Sequence, residues 1–145
     1  MVQLYRKGNY CEILFDESEG IFEMRWLEEA AQMSEETFKE IFLSYANLTE
    51  QYAPFGVLVY NTGEPYIVLP HLQEWVDRNI TPRSQEAGVK SIAVVVKGDS
   101  IVAQIAVEQL IDEPNARQYV HRFFDSVESA KTWLIKQKTR MGMMQ

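Results

Sequence analysis

The sequence predicts an α/β fold in one domain: a mixed sheet of four or five strands, opened by an antiparallel hairpin and continued by parallel βαβ units, with helices packed against it. Three observations carry this. Phe22, Met24 and Trp26 alternate with Glu23 and Arg25, the period-two pattern of a half-buried strand. Two runs, Phe55 to Tyr60 and Ile92 to Val96, are almost continuously apolar, rich in Val and too short for helices, so they read as strands covered on both faces. Between them Leu72, Trp75, Val76 and Ile80 share one side of a helix, and a helix joining two such strands is the sequence form of a right-handed parallel crossover. The 145 residues suit a single domain, without internal repeats, low-complexity segments or a linker. Residues 1–9 and 139–145 are expected to fray.

Taken in order, Tyr10 to Asp16 places Cys11, Ile13 and Phe15 on one strand face, and the turn-rich Glu17-Ser18-Glu19-Gly20 leads into Ile21 to Leu27. The period then changes. Ser34 is a good N-cap, Glu35 and Glu36 suit the positive end of a helix dipole, and Phe38, Ile41, Phe42, Tyr45 and Ala46 form one apolar stripe. Pro54 lies beyond that helix, and Asn61-Thr62-Gly63 closes the first Val-rich strand. Pro82 breaks the following helix and begins a second helical piece through Ala87, ended by Gly88. Asp99 is placed to cap a helix through Ile111 with Val102, Ile105, Ala106 and Leu110 inward, stopped by Asp112-Glu113-Pro114-Asn115. Tyr119 to Phe124 reads as a short last strand. Asp125 and Glu128 then stand at capping-box spacing before a helix whose buried face holds Ala130, Trp133 and Leu134.

The chain has 21 acidic and 14 basic residues, a net charge of -7, and residues 1–50 carry all of that excess. An anionic surface repels phosphates and anionic leaflets, so nucleic acid and membrane surfaces are not expected partners. The basic run Lys131, Lys136, Lys138 and Arg140 reads as cations favoured near a helix C-terminus. The longest apolar run, Ile92 to Val96, is far below the ~20 residues of a membrane span. No apolar signal-peptide core follows Arg6 and Lys7, so a cytoplasmic protein of bacterial type is the expectation. Cys11 is the only cysteine, which excludes an intrachain disulfide and reads as a small buried hydrophobe.

The same element order, carried by Phe55-Gly56-Val57-Leu58-Val59-Tyr60, Leu69-Pro70, Leu72-Gln73-Glu74-Trp75-Val76 and Ala87 through Val96, resembles the STAS-like domains, more closely their SpoIIAA-like (STAS/SEC14-related) branch. Arg122-Phe123-Phe124-Asp125-Ser126 and Ala130-Lys131-Thr132-Trp133-Leu134 complete the likeness. It rests on packing and capping positions, so it speaks to fold more than to activity. In the phospho-regulated members of that family, the loop after the central strand carries an Asp-Ser-Ser-Gly-like motif, whose phosphorylation adds about two negative charges where a kinase docks. The matching place here, Val68-Leu69-Pro70-His71, has no hydroxyl, and Thr62 upstream reads as a turn residue beside Gly63. The resemblance thus implies a module without the phosphorylatable Ser.

Assembled chemistry is sparse. One Cys with the widely separated His71 and His121 writes no zinc motif, and the seven glycines form no phosphate-cradling loop. His121 reads as exposed on its strand and His71 as a surface residue near a helix start. The acidic pairs Glu28-Glu29 and Glu35-Glu36 read as solvated helix-start charges. No catalytic, cofactor or metal residue is assigned. The segment from Asn61 to Trp75 is more informative, because it leaves a buried strand at the carboxyl end of the sheet, where open α/β folds place ligands. Asn61, Thr62, Tyr66, His71 and Trp75 are its candidate contact residues, whether for a protein partner or a small apolar ligand, and folding back to cover the sheet is the plainer role for the segment. Three functions follow: first a non-enzymatic interaction or regulatory module, then a small apolar-ligand or lipid-binding protein, then a hydrolase or transferase using Cys11 or His71. Homodimerisation through a sheet edge is compatible with each.

Overall fold

The computed structural model describes residues 1–96, 105, 108–110 and 112–143. Six strands form one sheet in strictly sequential order: β1 (Val2–Lys7), β2 (Cys11–Asp16), β3 (Ile21–Trp26), β4 (Gly56–Asn61), β5 (Ser91–Val95) and β6 (Val120–Phe124). The first three are antiparallel neighbours, and β3 to β6 are all parallel. The α/β class, the hairpin and the parallel Val-rich pair are as the sequence predicts; the strand count is not. Residues 2–7 pair with β2 instead of fraying. A bulge at Leu4 explains why the pattern hid them: Gln3 faces Leu14 and Tyr5 faces Ile13, so an extra residue breaks the period-two alternation.

Among the described residues four helices have both ends defined: α1 (Glu35–Tyr52), α2 (Pro70–Asn79), α3 (Thr81–Ala87) and α4 (Val127–Met143). Ser34 Oγ accepts the Thr37 amide at 3.1 Å and starts α1, while Gly88, at φ 119°, ends α3 in a conformation that L side chains rarely adopt. At α4 the cap is one residue later than the Asp125–Glu128 spacing suggests. Ser126 Oγ accepts the Ser129 amide at 3.1 Å, because a hydroxyl three residues ahead of that amide fits the turn directly. The helix continues to Met143, through positions expected to fray. Most of the helix expected from Asp99 to Ile111, with Asp99, Val102, Ala106 and Ile111, lies outside the described residues. Ile105 is helical yet 47% exposed, so it does not face inward, whereas Leu110 packs against the core.

The two Val-rich strands lie inside the sheet and are covered on both sides. Phe22, Met24 and Val57 join Phe38, Ile41, Leu72 and Ile80 on the face that carries α1, α2 and α3. Ile21, Leu58, Ala93 and Val95 meet Ala130 and Leu134 of α4 on the other. Burial of each Val, Leu, Ile, Phe or Met among them contributes about 1.5–3 kcal/mol. The approach of α4 is close: a Cβ at Gly56 would stand 2.9 Å from Leu134 Cδ2 and 3.3 Å from the Ser91 carbonyl. Asp77, buried at the end of α2, accepts the amides of Asn115 at 3.2 Å and Ala116 at 3.1 Å, which ties the segment before β6 to α2.

Two of the four C-terminal cations have specific partners on the β2–β3 turn. Lys131 Nζ lies 2.5 Å from Asp16 Oδ2, and Lys138 Nζ donates to the Glu19 carbonyl at 2.9 Å. The Lys131 ammonium, helped by the Ser18 hydroxyl, holds the Asp16 carboxyl down to about 2. Because that group titrates lower in the folded chain than in the unfolded one, its contribution is complete above about pH 4 and is lost as pH falls through about 2. Lys131→Met is expected to return Asp16 toward the ordinary carboxylate range and to flatten the acid side of the stability curve, as read by side-chain carbonyl NMR and denaturant melts between pH 2 and 5.

Candidate functional site

An apolar cavity of about 160 Å³ lies between the sheet and the helices of its first face. The register builds its floor. Trp26 stands beside Asn61, Met24 beside Val59 and Val59 beside Val94, so the inward positions of β3, β4 and β5 form one continuous row of apolar side chains ending in one amide. The α1 stripe supplies Phe38, Phe42 and Tyr45 as a wall. Val76, Ile80, Thr81, Ala116 and Tyr119 also line it, together with Pro65, Tyr66 and Val68 of the loop after β4.

The loop from Thr62 to Leu69 is held at both ends. The Thr62 amide and hydroxyl both donate to the Trp26 carbonyl, at 2.9 and 3.1 Å. Gly63 lies so near Glu28 that a Cβ would stand 3.0 Å from its Cα and 3.2 Å from its carbonyl oxygen, so a side chain there would have to push that backbone aside. Gln73 Nε2 donates to the Val68 carbonyl at 2.8 Å. Between these anchors the apolar run divides. Tyr66 stacks on Phe38 at 5.1 Å and Val68 is buried, whereas Ile67 and Leu69 are 71% and 48% exposed.

Of the five candidate contact residues, the structure brings two to the cavity, Asn61 and Tyr66. Thr62 serves the backbone of β3. His71 is on the surface, its Nε2 2.7 Å from Glu35 Oε1. Trp75 packs against the core with Lys39 Nζ 5.4 Å from its ring centroid, away from the cavity lining. Two of the polar side chains in the cavity wall are tied down: Tyr45 Oη and Ser84 Oγ share a hydrogen bond of 2.9 Å, and Tyr119 donates to the Thr81 carbonyl at 3.3 Å. Burial pushes the Tyr45 phenol well up and that of Tyr119 up to about 12, so both stay neutral hydroxyls. Burial, then the Glu35 carboxylate, raises Tyr66 as well.

Sequence reasoning missed most of the lining, because Met24, Phe42, Val59 and Val94 carry the same inward signal whether they fill a core or edge a void. Cys11 is fully buried outside that lining, its thiol pushed up chiefly by burial, and it is therefore no ready nucleophile. Among the described residues no group of His, Cys, Asp or Glu could hold a metal ion, and no helix is long and apolar enough to cross a membrane. Comparison with protein-family models, with curated proteins and with solved structures finds no match for the chain. The fold and site define an α/β sheet protein with an apolar pocket between its sheet and helices, and the STAS-like resemblance rests on the sequence segments alone.

Ser84→Ala would leave the buried Tyr45 hydroxyl without its partner and is expected to cost about 1–3 kcal/mol in denaturant unfolding. Tyr45→Phe in the same chain removes the orphaned group, so the double variant should recover part of that loss.

Proposed function

We propose that this chain is a non-enzymatic binding module that holds a small apolar ligand in the cavity between β3–β5 and α1. The cavity itself carries the reading. Apolar pockets near 150 Å³ take up one aromatic ring or a body of similar size, and this one, partly open to solvent, measures about 160 Å³ with a lining mostly of Met, Val, Ile, Leu and aromatic side chains. Its lining runs along β4 as far as Asn61 and takes in Pro65, Tyr66 and Val68 of the loop at the carboxyl end of that strand, and concave apolar sites with a few polar groups are where small ligands bind. The buried thiol of Cys11 and the surface placement of His71 favour binding over nucleophilic chemistry.

Toluene is a suitable probe, since ligand binding to the folded state alone raises the melting temperature by mass action. At saturating toluene the native chain is expected to melt several degrees higher. Val59→Phe, which fills the cavity from β4, should fold and show no such response. A native chain whose melting temperature ignores toluene would exclude the reading.

A second reading, a STAS-like protein-interaction module, is favoured by the outward pair Ile67 and Leu69, two large apolar side chains on one pinned loop. Glu64 within the loop, Glu28 with its backbone against Gly63 and Glu35 beside His71 give it acidic neighbours that suit a partner with a basic rim. In a pull-down, Ile67→Asp with Leu69→Asp is expected to lose such a partner; full retention by the double variant sinks this second reading.

A further inference from the structure

We propose that the ligand of this cavity bears a neutral hydrogen-bond donor, a hydroxyl or N–H on an otherwise apolar body, and that Asn61 Oδ1 accepts it. The inference rests on the apolar-ligand reading and adds the class of molecule. Asn61 is the last residue of β4 and the polar end of the row formed by Val57 and Val59. Its Oδ1 is buried and meets no hydrogen-bond donor among the described residues. Buried acceptors in folded proteins are nearly always partnered, because an unmade hydrogen bond keeps the full cost of desolvation. The hydroxyls of Tyr45 and Tyr119 cannot fill the role, since both are engaged elsewhere, with Ser84 and with the Thr81 carbonyl.

The register fixes what lies beside that oxygen. Trp26 is the neighbour of Asn61 on β3, and Tyr66 of the following loop also lines the cavity, so a ring or short alkyl body held there has aromatic contacts next to its polar end. An acceptor oxygen sorts ligands by the sign of their polar group. An alcohol, a phenol or an N–H heteroaromatic can donate to it, and a carboxylate, which has no proton to give, cannot. The net charge of -7 adds to the exclusion of anions.

Phenol and toluene share a ring and differ by hydroxyl against methyl, so the ratio of their affinities isolates the donor. Titrations of the full chain with phenol, toluene and benzoate, in the native form and in Asn61→Leu, test the proposal. The phenol-to-toluene affinity ratio is expected to fall about tenfold in Asn61→Leu, the worth of one net hydrogen bond, with benzoate binding neither form. In the native chain, the Asn61 side-chain amide NMR signals should move with phenol and hold still with toluene, a readout that needs no substitution. If both probes bind while the ratio and those signals are unchanged, solvent alone serves the amide oxygen; the donor rule is then overturned and the cavity reading stands. If neither probe binds, the cavity reading falls and takes the donor rule with it.

Discussion

Strands β3 to β6 run parallel and step one place at a time across the sheet, so every connection between them must climb over the sheet and return in the same direction. Crossovers of one handedness that step the same way all lie on the same face. The first face thus receives α1, α2, α3 and the segment through Leu110 and Ala116, and those pieces must tile it together. Helices and loops of fixed sequence do not tile a twisted sheet perfectly. The apolar cavity lies along β4 and β5, under several of these pieces, and its lining takes residues from nearly all of them.

The second face has a different economy. Only α4, which follows the last strand and is not a crossover, is free to cover it, and it reaches β4, β5 and β6. The part over β2 and β3 is closed by charge instead. Glu12 and Glu23 are buried there at 9% and 6% exposure. Arg25 reaches Glu23 at 2.8 Å and Glu12 at 3.3 Å, and Arg6 from β1 reaches Glu12 at 3.3 Å. Removing Arg25 would leave Glu23 without its cation in a desolvated place, whereas Glu12 would keep Arg6, so the ladder depends most on Arg25. It also explains how an antiparallel edge can carry charged side chains inward on the alternating pattern and still close the sheet. The aliphatic stems of the arginines cover what the carboxylates cannot.

The sequence shows its long elements clearly and its exceptions poorly. Val57, Leu58, Ala93 and Val94 announce two-sided burial because every successive residue is apolar, and the α1 stripe from Phe38 to Ala46 has a single periodicity to find. β1 was illegible for a local reason, the bulge at Leu4, and Ser126 was overshadowed as a cap by the better-spaced Asp125. At the site, the strand-to-helix loop was legible as a place, since Asn61 and the apolar Tyr66-Ile67-Val68-Leu69 stand out in a connection. What the chain could not reveal was which residues of that stretch face each other. Whether Met24 and Val94 touch a neighbour or a void depends on how far α1 stands from the sheet, and no pattern of residue types records a distance.

An unfilled core is also a mechanical property. Enclosed voids forgo packing worth about 24 cal/mol per Å³ against a filled interior, which for a partly open pocket of 160 Å³ sets an upper bound of about 4 kcal/mol, set against the roughly 5–15 kcal/mol that holds a domain together. Hydrostatic compression favours whichever state has eliminated its empty space, and unfolding eliminates it. The chain should therefore yield to pressure more readily than a close-packed domain of equal length, and an occupant of the void would stiffen it.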